Sequence, residues 1–369
     1  MRKLTLILSL IFLNGLPLFS QFTEGYNQRE ALEMIAICNS FTFQDVMGTD
    51  KEILPKNYKK IYQSESMVMD NKWQLLEGPG YAVINIRGST TDPLNWITNL
   101  YSAMIPANGS ISLPDGTVVN YCLSDNPLAN VHSGWTLAMV FLSGDIVSKI
   151  KELNEKGIYY FIITGHSQGA AIAQLMRSYV ENVSPEVLDK KNEFKTYVFA
   201  SPKPANTYFA RNYSNYYKNS SFIINNPKDP VINLPLSKDD DSFFDLEEAH
   251  EQISDTNRNY FKTLAIKAVG RILTGNKDSL YIRKSGVNIQ KQLNKYMGPI
   301  QMPAYVPDMD YTYPVNPIYI EPFMYFNFNN KKYYREFDMD SSKVLYQHKP
   351  YLYFLEYQRE FFYDEYLKW

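Results

Sequence analysis

Short apolar runs alternate with amphipathic stretches along the middle of this chain. Tyr81 to Ile86, Ile158 to Thr164, Lys195 to Ala200 and Phe222 to Asn225 are brief and rich in β-formers, which predicts buried strands. Trp135 to about Leu153, the stretch beginning Ala170-Ala171-Ile172-Ala173, and Asn206 to Tyr213 carry helical spacing instead. Strands alternating with helices predict an α/β architecture: a mostly parallel central sheet flanked by helices, with chemistry in the loops at the carboxyl ends of the strands.

Outside that middle the pattern is more varied. Asn27 to Ser40 places Ala31, Met34, Ile35 and Cys38 on one face, the spacing of a packing helix. Thr91 to Ala107 carries Leu94, Trp96, Ile97, Leu100, Tyr101, Met104 and Ile105, which predicts a short amphipathic helix serving as core or as a lid. Asn108 to Ser124 reads as loop and short strands, with turns at Asn108-Gly109 and Pro114-Asp115-Gly116. Between about 236 and 300 the character changes. An acidic run from Asp239 to Glu248 gives way to basic helical patterns at Tyr260 to Leu273 and Tyr281 to Tyr296, which predicts an inserted helical subdomain. Aromatic segments follow at Tyr311 to Tyr319 and Met324 to Tyr334, and Tyr346-Gln347-His348 opens a final helix-like stretch to Trp369.

One motif changes the picture from architecture to chemistry. Gly165-His166-Ser167-Gln168-Gly169 lies between the Ile158 to Thr164 strand and a small-residue helix start. A serine hydroxyl is a poor nucleophile unless it stands clear of the backbone beside a base. A sharp strand-to-helix turn achieves this by forcing strained φ/ψ angles on the serine. The helix that follows aims its unpaired N–H groups and the positive end of its dipole at the place where an oxyanion would form. Ser89 and Asp229 also fall just after predicted strands, so both are expected at the same sheet edge as Ser167.

Composition narrows the alternatives. With 369 residues, of which 45% are hydrophobic, the chain can bury a large core. Its formal net charge of -2 gives no electrostatic footprint for nucleic acid, and it has no glycine loop for phosphates. Arg2 and Lys3 precede the apolar run Leu4 to Leu13, and Ser20 offers a small residue before Gln21. Residues 1–20 therefore read as a signal peptide, which predicts a secreted or periplasmic, soluble mature protein. Two cysteines, Cys38 and Cys122, could pair in such a compartment or remain buried thiols. Two cysteines and four scattered histidines offer no metal-ligand spacing, so neither metal nor cofactor is expected.

An activated serine needs a base, usually histidine, and that histidine needs a carboxylate to fix its tautomer. The order serine, acid, histidine is met by Ser167, Asp229 and either His250 or His348. His132, at a helix entrance, reads as a capping or packing residue. His166 flanks Ser167, but the turn sends neighbouring side chains to different sides. His250 sits among acidic residues that explain it as a surface charge partner, whereas Tyr346, Tyr351 and Phe354 could wall His348 from water.

Several stretches together resemble the class 3, or fungal-type, triacylglycerol lipase family. They are Ile86-Arg87-Gly88-Ser89 with Asn95-Trp96, Val131-His132-Ser133-Gly134, Thr164 to Gly169, Phe199-Ala200-Ser201-Pro202, Asp229-Pro230-Val231 with Pro235, and His348 with Tyr351. The resemblance implies an α/β-hydrolase fold over residues 21–369, with Ser167 as nucleophile, Asp229 as orienting acid and His348 as general base. It also implies that Ser89 and the backbone N–H of Gln168 form the oxyanion hole, and that the stretch after Ser89 is a mobile lid. The substrate would be a lipid or small ester, met with transient contact at a lipid interface. This chain departs from the family in having Ala200 where a glycine is usual, and in a longer gap between Asp229 and His348. The rivals are a catalytically silent binding protein of the same fold and a serine peptidase or thioesterase.

Overall fold

A computed structural model describes residues 24–41, 53–90, 92–237, 279–323 and 345–367. Its frame is a seven-stranded sheet whose strands lie side by side in chain order. They are β1 (Lys59–Gln63), β2 (Trp73–Glu77), β3 (Ala82–Ile86), β4 (Tyr160–His166), β5 (Glu193–Phe199), β6 (Ser221–Asn225) and β7 (Ile318–Tyr319). The first two join antiparallel, and from β3 onward every pairing is parallel. The expected α/β sheet is therefore present, extended by an antiparallel hairpin at β1 and β2. Those two strands gave no clear signal in the sequence: β1 is an edge strand exposed at four of its five positions, so no alternation of buried residues marks it.

Seven helices are used below: α1 (Gln28–Asn39), α2 (Pro93–Leu100), α3 (Ser133–Asn154), α4 (Gln168–Asn182), α5 (Thr207–Tyr217), α6 (Ser279–Met297) and α7 (Pro350–Phe361). On one face of the sheet, α3 and α4 bury Leu137, Leu142, Ile146, Ala171, Ile172 and Leu175 in the larger core. On the other, α1 and α7 bury Ile35, Ile37, Tyr353 and Leu355 in a second one. The apolar strands face both layers, as a parallel sheet covered by helices requires. Asn27 caps α1 through bonds from the Arg29 and Glu30 N–H groups, and Glu30 pairs in the core with Lys195 of β5. Tyr26, just ahead of α1, bonds Tyr357 of α7, so the first helix and α7 are bound to one another and to the sheet.

Two expectations change, and the alternative left open for the two cysteines closes. The helical spacing of Thr91 to Ala107 ends early, because the chain leaves the helix at Tyr101 (ψ 57) and Met104–Pro106 pairs instead with Asn130–His132. Apolar spacing alone could not distinguish those residues from a helix end, and tertiary pairing decides. The final stretch is broken into a short turn of helix at Tyr346–His348, then α7, then Tyr363–Tyr366, as Pro350 requires of its first break. Cys38 and Cys122 are both free, the first buried and the second exposed. Of the expected insertion, residues 238–278, with His250 and the acidic run, lie outside the described residues, as do residues 1–20 and Met324 to Tyr334. Within α6, which contains the whole of Tyr281 to Tyr296, Ile289 and Leu293 join the larger core. Among the described residues no helix is long and apolar enough to cross a membrane.

Candidate active site

The central strand β4 delivers Ser167 to the sheet's carboxyl edge, and α4 begins one residue later. Ser167 has φ 59 and ψ -129, a conformation that L-residues rarely adopt. Two glycines make the turn possible. A β-carbon on Gly169 would strike the Ile86 carbonyl, and one on Gly165 would strike the Gly169 backbone. The Ser167 N–H donates to the Phe199 carbonyl at 3.0 Å, tying the turn to β5.

The other two candidates arrive from far along the chain. Asp229 follows β6 and caps the short helix Pro230–Asn233, its Oδ1 accepting from the Val231 N–H. His348 closes the turn before α7. His348 Nε2 lies 2.7 Å from Ser167 Oγ, and His348 Nδ1 lies 2.8 Å from Asp229 Oδ2. All three residues are buried. With Nδ1–H donated to the carboxylate, Nε2 is left as the acceptor for the serine proton. The geometry brings Ser167, Asp229 and His348 together and gives neither His132 nor His166 that position. His132 caps α3, its Nδ1 accepting from the Trp135 N–H, and stacks on the Trp135 ring at 3.7 Å.

Facing the serine, a small cleft is lined by Cys38, Arg87, Gly88, Ser89, His166 and Ser167. Gln168 is the first residue of α4, so its N–H has no acceptor within the helix. The Ser89 hydroxyl donates to Gln168 Oε1 at 3.3 Å and accepts from Asn99 Nδ2 at 2.9 Å. Asn99 is fixed in turn, since its Oδ1 accepts from Trp135 Nε1 at 2.9 Å. Along α2, Asn95 bonds the Thr90 N–H and the Met69 carbonyl, and Trp96 donates to the Thr90 carbonyl. An opening motion of the stretch after Ser89 would have to break these bonds.

Asn99 had no signal in the sequence beyond its place on α2. An Asn99→Ala variant should lose about tenfold in kcat with an unchanged KM for a short soluble ester, because Ser89 loses the donor that aims its hydroxyl. Steady-state kinetics checks this, and an intact kcat would show that Ser89 needs no such aim.

Behind Asp229 the site is closed by aromatic and polar groups. Tyr353 donates to Asp229 Oδ2 at 2.8 Å; burial, and then the Asp229 charge, raise its pKa well above the usual phenol range. It therefore remains a donor. His166 lies 4.8 Å from His348, ring to ring, and meets Tyr353 edge-on. Burial, and then the neighbouring His348, hold its pKa well below the ordinary imidazole range. Burial likewise pushes His132 down to about 3. Glu356, buried on α7, goes the other way, pushed up by burial to about 8.

These three groups set a direction for stability against pH. Between about pH 4.5 and 6.5 the unfolded chain protonates both histidines while the folded chain does not. The folded chain alone holds the Glu356 proton. Unfolding then takes up one proton net, so these groups should lower stability by about 1.4 kcal/mol per unit as pH falls through that window. From about pH 6.5 to 8 only Glu356 differs, and the sign reverses. Urea midpoints measured from pH 5 to 8 should peak near the middle; a midpoint that rises toward acid would contradict the buried neutral histidines.

A parallel sheet with helices on both faces and an elbow at the end of its central strand defines the α/β-hydrolase class. Residues 83–238 match the family profile described as Lipase (class 3), so that stretch of the chain is similar to the class 3 lipases. The matched stretch contains Ser89, Ser167, Gln168 and Asp229 and stops short of His348. Among solved structures, a native Rhizomucor miehei lipase propeptide complex is 18% identical, with 58% of this chain and 66% of that one covered at a TM-score of 0.41. A lipase from Rhizopus microsporus var. chinensis is 17% identical, with 57% and 71% covered at a TM-score of 0.42. A search of curated protein sequences found no match.

Proposed function

We propose that the chain hydrolyses carboxylic esters of lipids through an acyl-enzyme on Ser167, with His348 as general base and Asp229 as its orienting carboxylate. The observation that carries this reading is the unbroken path of hydrogen bonds from Ser167 Oγ through His348 to Asp229. The match of residues 83–238 to the Lipase (class 3) profile supports the ester and its lipid character.

His348 Nε2 takes the serine proton as Oγ attacks the ester carbonyl carbon. The negative charge that develops on the carbonyl oxygen is received by the Gln168 N–H, by the Ser89 hydroxyl once its proton turns from Gln168 Oε1, and by the positive end of α4. Collapse of this intermediate breaks the ester C–O bond, and the imidazolium gives its proton to the departing alkoxide. Water, deprotonated by the same imidazole, then attacks the acyl carbon and releases the acid and Ser167. Asp229 holds Nδ1–H throughout and stabilises the imidazolium. No step calls for a metal or an organic cofactor. The basic and then apolar start, Arg2-Lys3 and Leu4 to Leu13, supports export by a signal peptide at 1–20, ahead of one hydrolase domain with a helical insertion at about 236–300.

Wild-type protein and a Ser167→Ala variant should be compared on short and long-chain nitrophenyl esters, a triacylglycerol emulsion, and an amide and a thioester of matched acyl group. Ester cleavage that disappears in the variant is the expected result. Ester cleavage that survives it, or an amide cleaved faster than its ester, would overturn the reading.

A further inference from the structure

Glu356 sits at the centre of a buried polar node that the proposed reaction does not itself use. Its Oε1 accepts from the Phe323 N–H at 2.7 Å, and its Oε2 accepts from Asn226 Nδ2 at 2.9 Å. The same Asn226 Nδ2 donates to Gln347 Oε1 at 2.7 Å, and Gln347 Nε2 donates back to the Phe323 carbonyl at 3.0 Å. Glu356 and Asn226 are wholly buried, at 0% exposure each, so an unmade bond there has no water to replace it.

Asn226 also shapes the loop that carries the acid. Its Oδ1 accepts from the Lys228 N–H, and its carbonyl accepts from the Asp229 N–H. Its own N–H donates at 2.9 Å to the hydroxyl of Tyr353, which in turn donates to Asp229. Gln347 immediately precedes His348. The loop holding Asp229 and the turn holding His348 thus come from distant parts of the chain and meet at a single amide, which is itself held by Glu356.

We infer that Glu356 is a positioning residue: through Asn226 and Gln347 it sets the alignment of Asp229 with His348. The inference rests on the reaction proposed above. A carboxyl suits the place because both of its oxygens accept, from two donors that belong to different segments. Burial, with a smaller push from Asp229, raises its pKa to about 8, against the bonds from the Phe323 N–H and Asn226 and the charge of Arg359.

The test uses Glu356→Leu, Glu356→Gln and Gln347→Leu in the full chain, with a short soluble ester as substrate and folding followed by thermal melting. In folded protein Glu356→Leu should lower kcat by about thirtyfold or more with KM within about twofold, since misalignment of a base costs turnover and leaves substrate binding alone. Glu356→Gln keeps one acceptor and should recover at least about half of that loss on a logarithmic scale. If Glu356→Leu does not fold, Gln347→Leu decides: about a tenfold fall in kcat at constant KM is expected. Wild-type kcat in the variant that decides, or a loss carried by KM, would overturn the inference. If Ser167→Ala is inactive while the variants at positions 356 and 347 turn over normally, this inference alone fails; if Ser167→Ala is active, the underlying reaction fails first.

Discussion

Replacing His348 with alanine should reduce ester turnover by about a thousandfold or more, with little change in KM for a soluble ester. The size follows from what the ring does at both nitrogens. Nε2 is the only imidazole nitrogen bonded to Ser167 Oγ among the described residues, so without it the hydroxyl attacks with its proton still on. The other ring close by, His166, is no substitute. Its pKa is held far below the ordinary range, which makes it a weak base, and the turn sets it to the side of the serine. Alanine also opens a cavity between Ser167 and Asp229, so folding should be checked by circular dichroism before rates are compared. Activity near the wild-type level in folded protein would mean that another group takes the serine proton.

Asp229→Asn is expected to lower kcat by about four orders of magnitude while the protein stays folded. The carboxylate accepts from three donors, the Val231 N–H on Oδ1 and both His348 Nδ1 and the Tyr353 hydroxyl on Oδ2. An amide keeps the shape and can keep the Val231 bond. Its NH2 group then faces His348 Nδ1 and favours the tautomer with the proton on Nε2, which leaves Ser167 no acceptor. The imidazolium that forms during attack also loses its counter-charge. Single-turnover kinetics should place the loss in acylation, with KM for a short ester within about twofold of wild type. A fall of less than about tenfold would mean that Asp229 serves only to cap Pro230–Asn233.

The sequence already located Ser167, Asp229 and the edge of the sheet where they meet. An elbow is a local device, readable from two glycines, a strand and a helix start, and the order of strands along this chain is also their order in the sheet. In the sequence, the surroundings of the two histidines favour His348 over His250. His348 is indeed buried, but the groups that hold it were not foreseeable. Tyr353 bonds Asp229 across 124 residues of chain, and Glu356 reaches Asn226 across 130. Each is one more aromatic or acidic residue on an amphipathic helix until the two cores are assembled. The same holds for Asn99, whose value depends on where Ser89 lies.

Sequence pattern and structure part where two elements share one pattern. Met104-Ile105-Pro106 continued the apolar spacing of α2 yet became a strand, because a partner strand was within reach. At Lys59–Gln63 the reverse occurs, and a real strand at the edge has too few buried positions to announce itself. Local signals therefore serve best at the turn that carries Ser167, and least well where a residue's role is fixed by a distant neighbour.

The most direct test of the central claim is to label the folded protein with a fluorophosphonate and map the adduct by peptide mass spectrometry. A hydroxyl activated by His348 should be phosphonylated at Ser167 within minutes, stoichiometrically, and neither Ser167→Ala nor His348→Ala should label on that timescale. Folded wild-type protein that stays unlabelled, or that carries the adduct on another serine, would contradict the account.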